Sequence, residues 1–143
     1  MRRRSGAECR CVCTCLRRAA RAVTQFYDEA FRPCGYRATQ VGILAALAGT
    51  GPVTVSGLAK ETVTDRTTLT RNLKLLEKKG LICLESGKDR RERRVCLTKQ
   101  GERALEKTRP AWVAAQGRVI RKIGREKFER LISDLSAVVD CCK

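Results

Sequence analysis

The stretch VSGLAKETVTDRTTLTRNLKLLEKKGLI, residues 55–82, contains the most informative pattern of the chain. Its second half repeats leucine at intervals of three and four residues, which is the spacing of one buried face of a helix. These leucines are Leu69, Leu73 and Leu76. We predict a helix over 64–79, capped by Thr64 or Asp65 and closed by Gly80.

The sequence on either side of this helix predicts further helices and a β-hairpin. Upstream, apolar residues at helical spacing predict three helices, over 16–31, 39–48 and 55–61. Downstream, the alternating runs LICLES and VCLT flank the charged loop GKDRRERR, which is the pattern of a hairpin. Two more helices follow, over 99–123 and 125–140. The predicted fold class is mainly α with a small β-hairpin.

The chain is strongly basic. It contains 31 Lys and Arg against 15 Asp and Glu, a formal net charge of +16 at pH 7. A protein with this charge is expected to associate with a polyanion. The sequence has no histidine and shows no Cys or Lys nucleophile with a positioned base, so we expect neither an enzyme nor a cofactor. It shows no membrane-spanning stretch and no signal-peptide apolar region, so we expect a cytoplasmic protein without a membrane partner.

The predicted helix over 64–79 has a polar face suited to the major groove of DNA. Arg can hydrogen-bond bidentately to guanine, and Thr can contact base edges or a thymine methyl group. The side chains largely opposite the leucines are Arg66, Thr67, Thr70, Arg71 and Lys74. The charged loop supplies arginines at a hairpin tip, where a narrow minor groove attracts them. Helix and loop together indicate binding to double-stranded DNA.

These segments resemble the MarR family of winged-helix transcriptional regulators. The similarity lies in residues 55–82, in the hairpin GKDRRERRVCLTKQG with its Asp89-X-Arg91 pattern, and in the upstream RRAARAVTQFYDEAFRPCGYRATQ. It implies a homodimer whose first, fifth and sixth helices interlock, each subunit presenting one winged helix to a pseudo-palindromic operator. We therefore expect three regions: an N-terminal arm with the first dimerisation helix, a winged helix-turn-helix, and C-terminal dimerisation helices, over 1–35, 36–98 and 99–143.

The resemblance also implies roles for individual side chains. The base-reading candidates are Arg66, Thr67, Thr68 and Arg71. Candidates for phosphate contacts on the same helix are Thr70 and Lys74. In the loop, Arg91 is expected to insert at the wing tip and Asp89 to brace it, and the phosphate-neutralising candidates are Arg90, Arg93 and Arg94. The family further implies a repressor with an effector pocket, and Tyr36, Arg17 and Arg21 would suit a small aromatic or acidic compound there.

The nine cysteines are a second unusual feature. Four of them alternate at the N-terminus, at Cys9, Cys11, Cys13 and Cys15. Cys13 aligns with the reactive cysteine of the organic-hydroperoxide sensors of the family, and Tyr27 with one tyrosine that hydrogen-bonds it. The resemblance thus makes Cys13, Cys11 and Cys15 redox-sensing candidates. Cys141 and Cys142 are candidate redox partners because the terminal helices of the family meet in its dimerisation region.

Alternatives to redox sensing stay open. Two further tyrosines of the hydroperoxide-sensing pattern are replaced here, by Arg17 and Ala38. The N-terminal Cys-X-Cys run suits soft ions such as Cu(I), which would make the chain a thiolate metal-responsive regulator. A non-specific architectural DNA-binding protein is the remaining alternative. Cys83 and Cys96 lie at equal distances from the centre of the predicted wing, so they are expected to face each other on its two strands and to fill space there.

Overall fold

A computed structural model describes residues 11–87, 89 and 92–143. Its elements follow in the order α1 (Val12–Phe31), α2 (Ala38–Thr50), β1 (Val53–Thr54), α3 (Val55–Glu61), α4 (Arg66–Lys78), β2 (Ile82–Ser86), β3 (Arg93–Leu97), α5 (Lys99–Ile123) and α6 (Arg125–Cys141). A short 3-10 turn, Arg32–Cys34, joins α1 to α2. The predicted class, mainly α with a small hairpin, is confirmed. Among the described residues, none of the helices combines the length and apolar character needed to cross a bilayer.

The strands form one antiparallel sheet in the order β1-β3-β2. The ladder between β2 and β3 places Cys83 directly opposite Cys96, as the sequence predicts. The ladder also continues to the pair of Ser86 and Arg93. For this reason β3 begins earlier than the sequence indicates, and both Arg93 and Arg94 belong to the strand rather than to the charged loop. We call the hairpin formed by β2, β3 and the loop between them, residues 82–97, the wing.

The structure differs from the sequence-based predictions at other points as well, and α1 begins at Val12 rather than at residue 16. Strand β1 was not predicted, because two residues are too few to show alternation, yet it pairs Val53 with Val95. Helix α4 begins at Arg66 because Asp65 is its N-cap, with the carboxylate accepting a hydrogen bond of 2.9 Å from the backbone N–H of Thr68. Through the pair of Val53 and Val95, the wing is anchored on β1, the short segment that leads into α3.

The core lies between α2, α3, α4, the sheet and the beginning of α5. The predicted leucine face of α4 is buried: Leu69 and Leu76 are 0% exposed and Leu73 is 3% exposed. They pack in one cluster with apolar residues of the other elements, among them Leu44, Leu47, Leu58, Ile82 and Val95. Because this face is fully covered, the orientation of α4 about its own axis is determined, and its opposite face is left to solvent.

The remaining helices form a separate layer. Helix α1 packs mainly against α5 and α2, and α6 packs against α5. The Tyr27 hydroxyl of α1 donates a hydrogen bond to the Gln116 side chain of α5. On the outer faces of α1 and α6, several large apolar side chains are exposed: Val12, Val23, Leu131, Ile132, Leu135 and Val139.

The junction between the wing and α5 is close-packed. The Thr98 hydroxyl caps α5 by accepting a hydrogen bond of 3.0 Å from Gly101 N–H, and it donates one of 2.7 Å to the Gly80 carbonyl. A Cβ atom at position 101 would overlap the carbonyl oxygen of Leu81 and would lie 2.6 Å from Cδ1 of Leu97. Gly101 thus lets α5 approach the end of α4 and the sheet.

We therefore expect Gly101→Ala to lower the free energy of unfolding by about 1–3 kcal/mol through overpacking, although alanine favours helices. The matched control is Gly42→Ala, in the exposed middle of α2, where a Cβ meets nothing within 4 Å. That control should raise stability by about 0.5–1 kcal/mol. Urea unfolding of both variants measures the difference, and equal stabilities would contradict the close packing at Gly101.

Candidate nucleic-acid interface

Helix α4 presents a polar face that the fold holds outward. All six predicted contact residues on this helix are exposed: Arg66, Thr67, Thr68, Thr70, Arg71 and Lys74. All of these except Thr68 line one shallow groove along the outer face of α4. The buried leucines behind them leave this face no other packing role. The structure therefore brings together the base-reading and phosphate candidates that the sequence predicted on this helix.

The beginning of α4 is stabilised by its cap. Hydrogen bonds from Thr68, first from its side chain and then from its backbone, lower the pKa of the Asp65 carboxyl. The carboxylate thus stays ionised at neutral pH and holds the first turn in place. Thr70, one turn further along, uses its hydroxyl to donate a hydrogen bond of 2.7 Å to the Arg66 carbonyl. The Thr70 hydroxyl would have to break this hydrogen bond before it could donate one to a phosphate oxygen.

The wing lies beside this helix. A cavity of about 330 Å³ separates the two and is lined on the helix side by Arg66, Thr70 and Lys74 and on the wing side by Arg93. Successive strand residues point to opposite faces of a sheet, so Arg94 points away from α4 while Arg93 points toward it. Of the two strand arginines predicted to neutralise phosphate, Arg93 is the one that continues the basic face of α4.

The tip of the wing is only partly described. Arg90 and Arg91, the remaining predicted contacts of the loop, lie outside the described residues. Asp89 is exposed, and its backbone carbonyl accepts a hydrogen bond of 2.9 Å from Glu92 N–H. A second bond of 2.6 Å runs from Gly87 N–H to the Glu92 carbonyl. Backbone hydrogen bonds thus close the loop, and a bracing role for the Asp89 side chain stays a prediction.

The N-terminal cysteines lie at the beginning of α1. Cys9 is outside the described residues, and Cys11, Cys13 and Cys15 are exposed. Cys11 is the N-cap residue of the helix. Hydrogen bonding to Thr14, first to its backbone and then to its side chain, lowers the pKa of the Cys11 thiol. A larger fraction of this thiol is therefore ionised at neutral pH, which is the condition for reaction with an oxidant.

The other predicted redox residues lie elsewhere. Tyr27 is fourteen residues beyond Cys13 on the same helix, about 21 Å along its axis, and its hydroxyl is bonded to Gln116. Burial raises the pKa of Tyr27. Within one chain the structure therefore does not bring Tyr27 to Cys13. Cys141 and Cys142 are exposed at the end of α6 with their sulfur atoms 3.7 Å apart, and hydrogen bonding to Cys141 raises the pKa of Cys142.

Two cavities bear on the expected effector pocket. Tyr36 lines a polar one with Asp28, Arg32 and Arg37, and Lys79 lies over its ring at 5.7 Å, whereas Arg17 and Arg21 do not line it. The other cavity, of about 280 Å³, lies between α2 and α5. Its lining is Val41, Ala45, Leu105, Glu106, Thr108, Arg109 and Trp112. No local pattern in the sequence indicates this second cavity, because it forms only where α2 meets α5.

Comparison with known proteins places this geometry in a family. The MarR family model matches residues 35–92. The transcriptional regulator MosR of M. tuberculosis, solved in complex with DNA, is 38% identical, with a TM-score of 0.80 over 93% of this chain and 98% of that chain. YwoH of Bacillus subtilis (strain 168), described as an uncharacterized HTH-type transcriptional regulator, is 31% identical over 91 residues, which are 64% of this chain and 66% of that protein.

A more distant structure shares the fold. BpsR of Bordetella bronchiseptica, whose DNA binding is regulated by 6-hydroxynicotinic acid, is 21% identical with a TM-score of 0.82 over 93% of this chain and 96% of that one. The matched proteins are transcriptional regulators rather than enzymes, in agreement with the expectation from the sequence. The chain belongs to the MarR family and is a DNA-binding transcriptional regulator with a winged-helix fold.

Proposed function

We propose that the protein is a homodimeric repressor that binds a pseudo-palindromic operator and is released from it when N-terminal cysteines are oxidised. The observation that carries the DNA-binding part is the exposed Arg, Thr and Lys face of α4, held outward by buried leucines and continued by Arg93 of the wing. A helix of this composition, fixed in orientation and flanked by a basic hairpin, is suited to the major groove.

The apolar outer faces of α1 and α6 support a dimer. Six large apolar side chains are exposed there, with exposed fractions between 37% and 62%. On α6, Ile132, Leu135 and Val139 line one shallow surface, and an exposed apolar patch of this kind marks an interaction site. A two-fold dimer formed through these helices would present two α4 helices to half-sites about 34–36 Å apart. We accordingly assign 1–35 and 99–143 to dimerisation and 36–98 to DNA binding.

Cys11 supports the redox part of the proposal. In the first step, the Cys11 thiolate attacks an organic hydroperoxide, so that the O–O bond breaks, the sulfur becomes a sulfenic acid and an alcohol leaves after protonation. In the second step, the thiol of another cysteine attacks the sulfenic acid, a disulfide forms and water leaves. Cys15 lies four residues further on the same helix, and Cys13, Cys141 and Cys142 are further candidates for the second thiol.

The position of α1 links this chemistry to DNA binding. Cys11 begins the helix that packs against α5 and α2 and carries part of the apolar outer face. A disulfide at this end changes the geometry of the dimerisation layer, on which the separation of the two α4 helices depends. We expect the oxidised dimer to fit the operator spacing poorly.

A second candidate input is a small molecule bound in the cavity between α2 and α5. The surface of this cavity is almost entirely apolar, and its lining includes Trp112 and Arg109 together with Glu106. That combination suits an aromatic compound with an acidic group. BpsR, which shares the fold, has its DNA binding regulated by 6-hydroxynicotinic acid.

The redox proposal predicts that DNA binding responds to oxidant through Cys11. Fluorescence anisotropy with DNA from upstream of the gene should show tight, salt-sensitive binding in reductant, loss of binding after a stoichiometric organic hydroperoxide, and recovery with thiol. Cys11→Ser should bind DNA normally and resist the oxidant. Cys34→Ser, which removes a thiol from the turn after α1, should behave like the parent.

Binding that ignores the oxidant in the parent protein would reject the redox step and leave the repressor in place. Release by an aromatic acid would then favour the α2–α5 cavity, and release by Cu(I) the metal-responsive alternative. Equal affinity for operator and unrelated DNA would instead indicate an architectural protein.

Base reading by α4 predicts a sequence-specific effect of Arg71→Ala. The variant should lose about 1–3 kcal/mol of binding free energy on the operator and relax the preference at one base step, because a bidentate contact to guanine is removed. Arg130→Ala, which removes one exposed cation from α6, is the charge-matched control and should retain the preference. A competition assay against operators with single substitutions measures both, and identical preferences would remove Arg71 from base reading.

A phosphate contact by the wing predicts a different signature for Arg93→Ala. Affinity should fall to a similar extent on all DNA sequences, and the slope of log K against log salt should become shallower by about one unit. The control is Arg94→Ala on the same strand, because the Arg94 side chain points away from α4. Equal slopes for the two variants would contradict the assignment of Arg93.

A further inference from the structure

A group of potential metal ligands lies in the wing, away from the face that α4 presents. Within the described residues, the sulfur atoms of Cys83 and Cys96 and a carboxylate oxygen of Glu85 all lie within 4.8 Å of one another. Cys96 is buried, Cys83 is half-buried and Glu85 is exposed. The proposed repressor function uses none of these side chains.

The strand register explains why these three meet. Cys83 and Cys96 are directly opposite on β2 and β3, and Glu85 is two residues from Cys83, so all three project from one face of the sheet. The opposite face carries the apolar side chains of the core, including Val95. The cluster is therefore built by the ladder itself and does not depend on the loop at the wing tip.

The hydrogen-bonding pattern sets the distance between the two cysteines. Two backbone hydrogen bonds identify the hydrogen-bonded pairs at the two ends of the ladder. One runs from Thr98 N–H to the Leu81 carbonyl, and the other from Gly87 N–H to the Glu92 carbonyl. Since such positions alternate in an antiparallel pair, Cys83 and Cys96 also form a hydrogen-bonded pair. These pairs have the wider Cα separation, about 5.5 Å against about 4.5 Å.

We propose that Cys83, Cys96 and Glu85 form a binding site for a thiophilic divalent cation of the Zn²⁺ class. Two thiolates and a carboxylate are ligands that Zn²⁺ accepts, whereas a carboxylate is a poor ligand for Cu(I). At a Zn–S distance of about 2.3 Å, tetrahedral geometry places two sulfur atoms about 3.8 Å apart, which agrees with the observed upper limit of 4.8 Å on their separation. Binding forms two Zn–S bonds and one Zn–O bond, and the two thiol protons pass to solvent.

The wide Cα separation of this pair disfavours formation of a disulfide, which is the other reaction open to two cysteines. A disulfide needs the sulfur atoms at about 2.05 Å, and the wider cross-strand separation works against so close an approach. In the present arrangement the Cys83 thiol instead donates a hydrogen bond of 3.7 Å to the Cys96 carbonyl. A cation between the sulfurs would join β2 to β3 behind Arg93 and would leave its fourth coordination position to water or an external thiol.

The test isolates the wing cysteines in the full-length chain. In a parent variant, serine replaces the other seven cysteines, namely Cys9, Cys11, Cys13, Cys15, Cys34, Cys141 and Cys142. Titration with Co²⁺ should give one equivalent per chain, with thiolate-to-cobalt charge-transfer absorption that Zn²⁺ abolishes. Cys83→Ser and Cys96→Ser in this background should lose that absorption. Glu85→Gln should weaken Co²⁺ binding by about tenfold or more, because even the loss of an outer-shell partner of a metal ligand costs about 10–100-fold in affinity.

Glu92→Gln, an exposed acid on the same hairpin, is the matched control and should bind Co²⁺ like the parent variant. Circular dichroism checks that each variant folds. Cys96 is buried, so if Cys96→Ser does not fold, Cys83→Ser and Glu85→Gln decide the result. The proposal is overturned if the parent variant gives no thiolate-to-cobalt absorption, if Cys83→Ser retains it, or if mass spectrometry shows the parent losing two hydrogens as a disulfide instead of binding the metal.

Discussion

The burial of one face of α4 is the constraint on which the rest of the molecule depends. Leu69, Leu73 and Leu76 are almost completely excluded from solvent, so the helix has one rotational setting about its axis. Turning α4 about its axis by about 100°, the angle between successive residues, would bury arginine and threonine side chains in the apolar core. That burial costs free energy, because no hydrogen bond in the core compensates for the lost contacts with water. The same apolar contacts that stabilise the domain therefore decide which side chains can meet DNA.

The cysteines that the structure describes include two chemically distinct kinds. Cys11 is exposed, and hydrogen bonding to Thr14 lowers the pKa of its thiol. Burial raises the pKa of Cys96 to about 11, with further contributions from Glu85 and Cys83. An oxidant thus meets a thiol that ionises more readily at the beginning of α1 and one that ionises less readily behind the wing. Counting thiols in the composition does not separate these groups, because the difference arises from burial and neighbours.

Periodicity was enough to predict most of the secondary structure and the polar face of α4. The helix over 55–61 and the opposition of Cys83 and Cys96 are confirmed, since both depend on local spacing alone. Features that depend on contacts between distant segments could not be read in this way. Strand β1 exists because Val53 finds Val95, and the cavity at Trp112 exists because α2 meets α5.

The same limit applies to single side chains at the candidate site. Alternation along a strand separates Arg93 from Arg94 only once the strand is known to include them, and the charged composition of that segment had indicated a loop. Likewise, the resemblance to hydroperoxide sensors directed attention to Tyr27, but its hydrogen bond to Gln116 depends on how α1 packs against α5. Local pattern predicts which residues are available, and packing decides what they touch.

Helix α5 gives the molecule a mechanical property of its own. It spans 25 residues, with Pro110 inside it, from the close-packed junction at Gly101 to the layer formed with α1 and α6. At 1.5 Å per residue it is about 37 Å long, so a tilt of about 5° at one end displaces the other by about 3 Å. That displacement approaches the rise of one base pair of DNA. The helix is thus long enough for a slight rearrangement of α1 and α6 to shift the DNA-binding region by nearly one base-pair step.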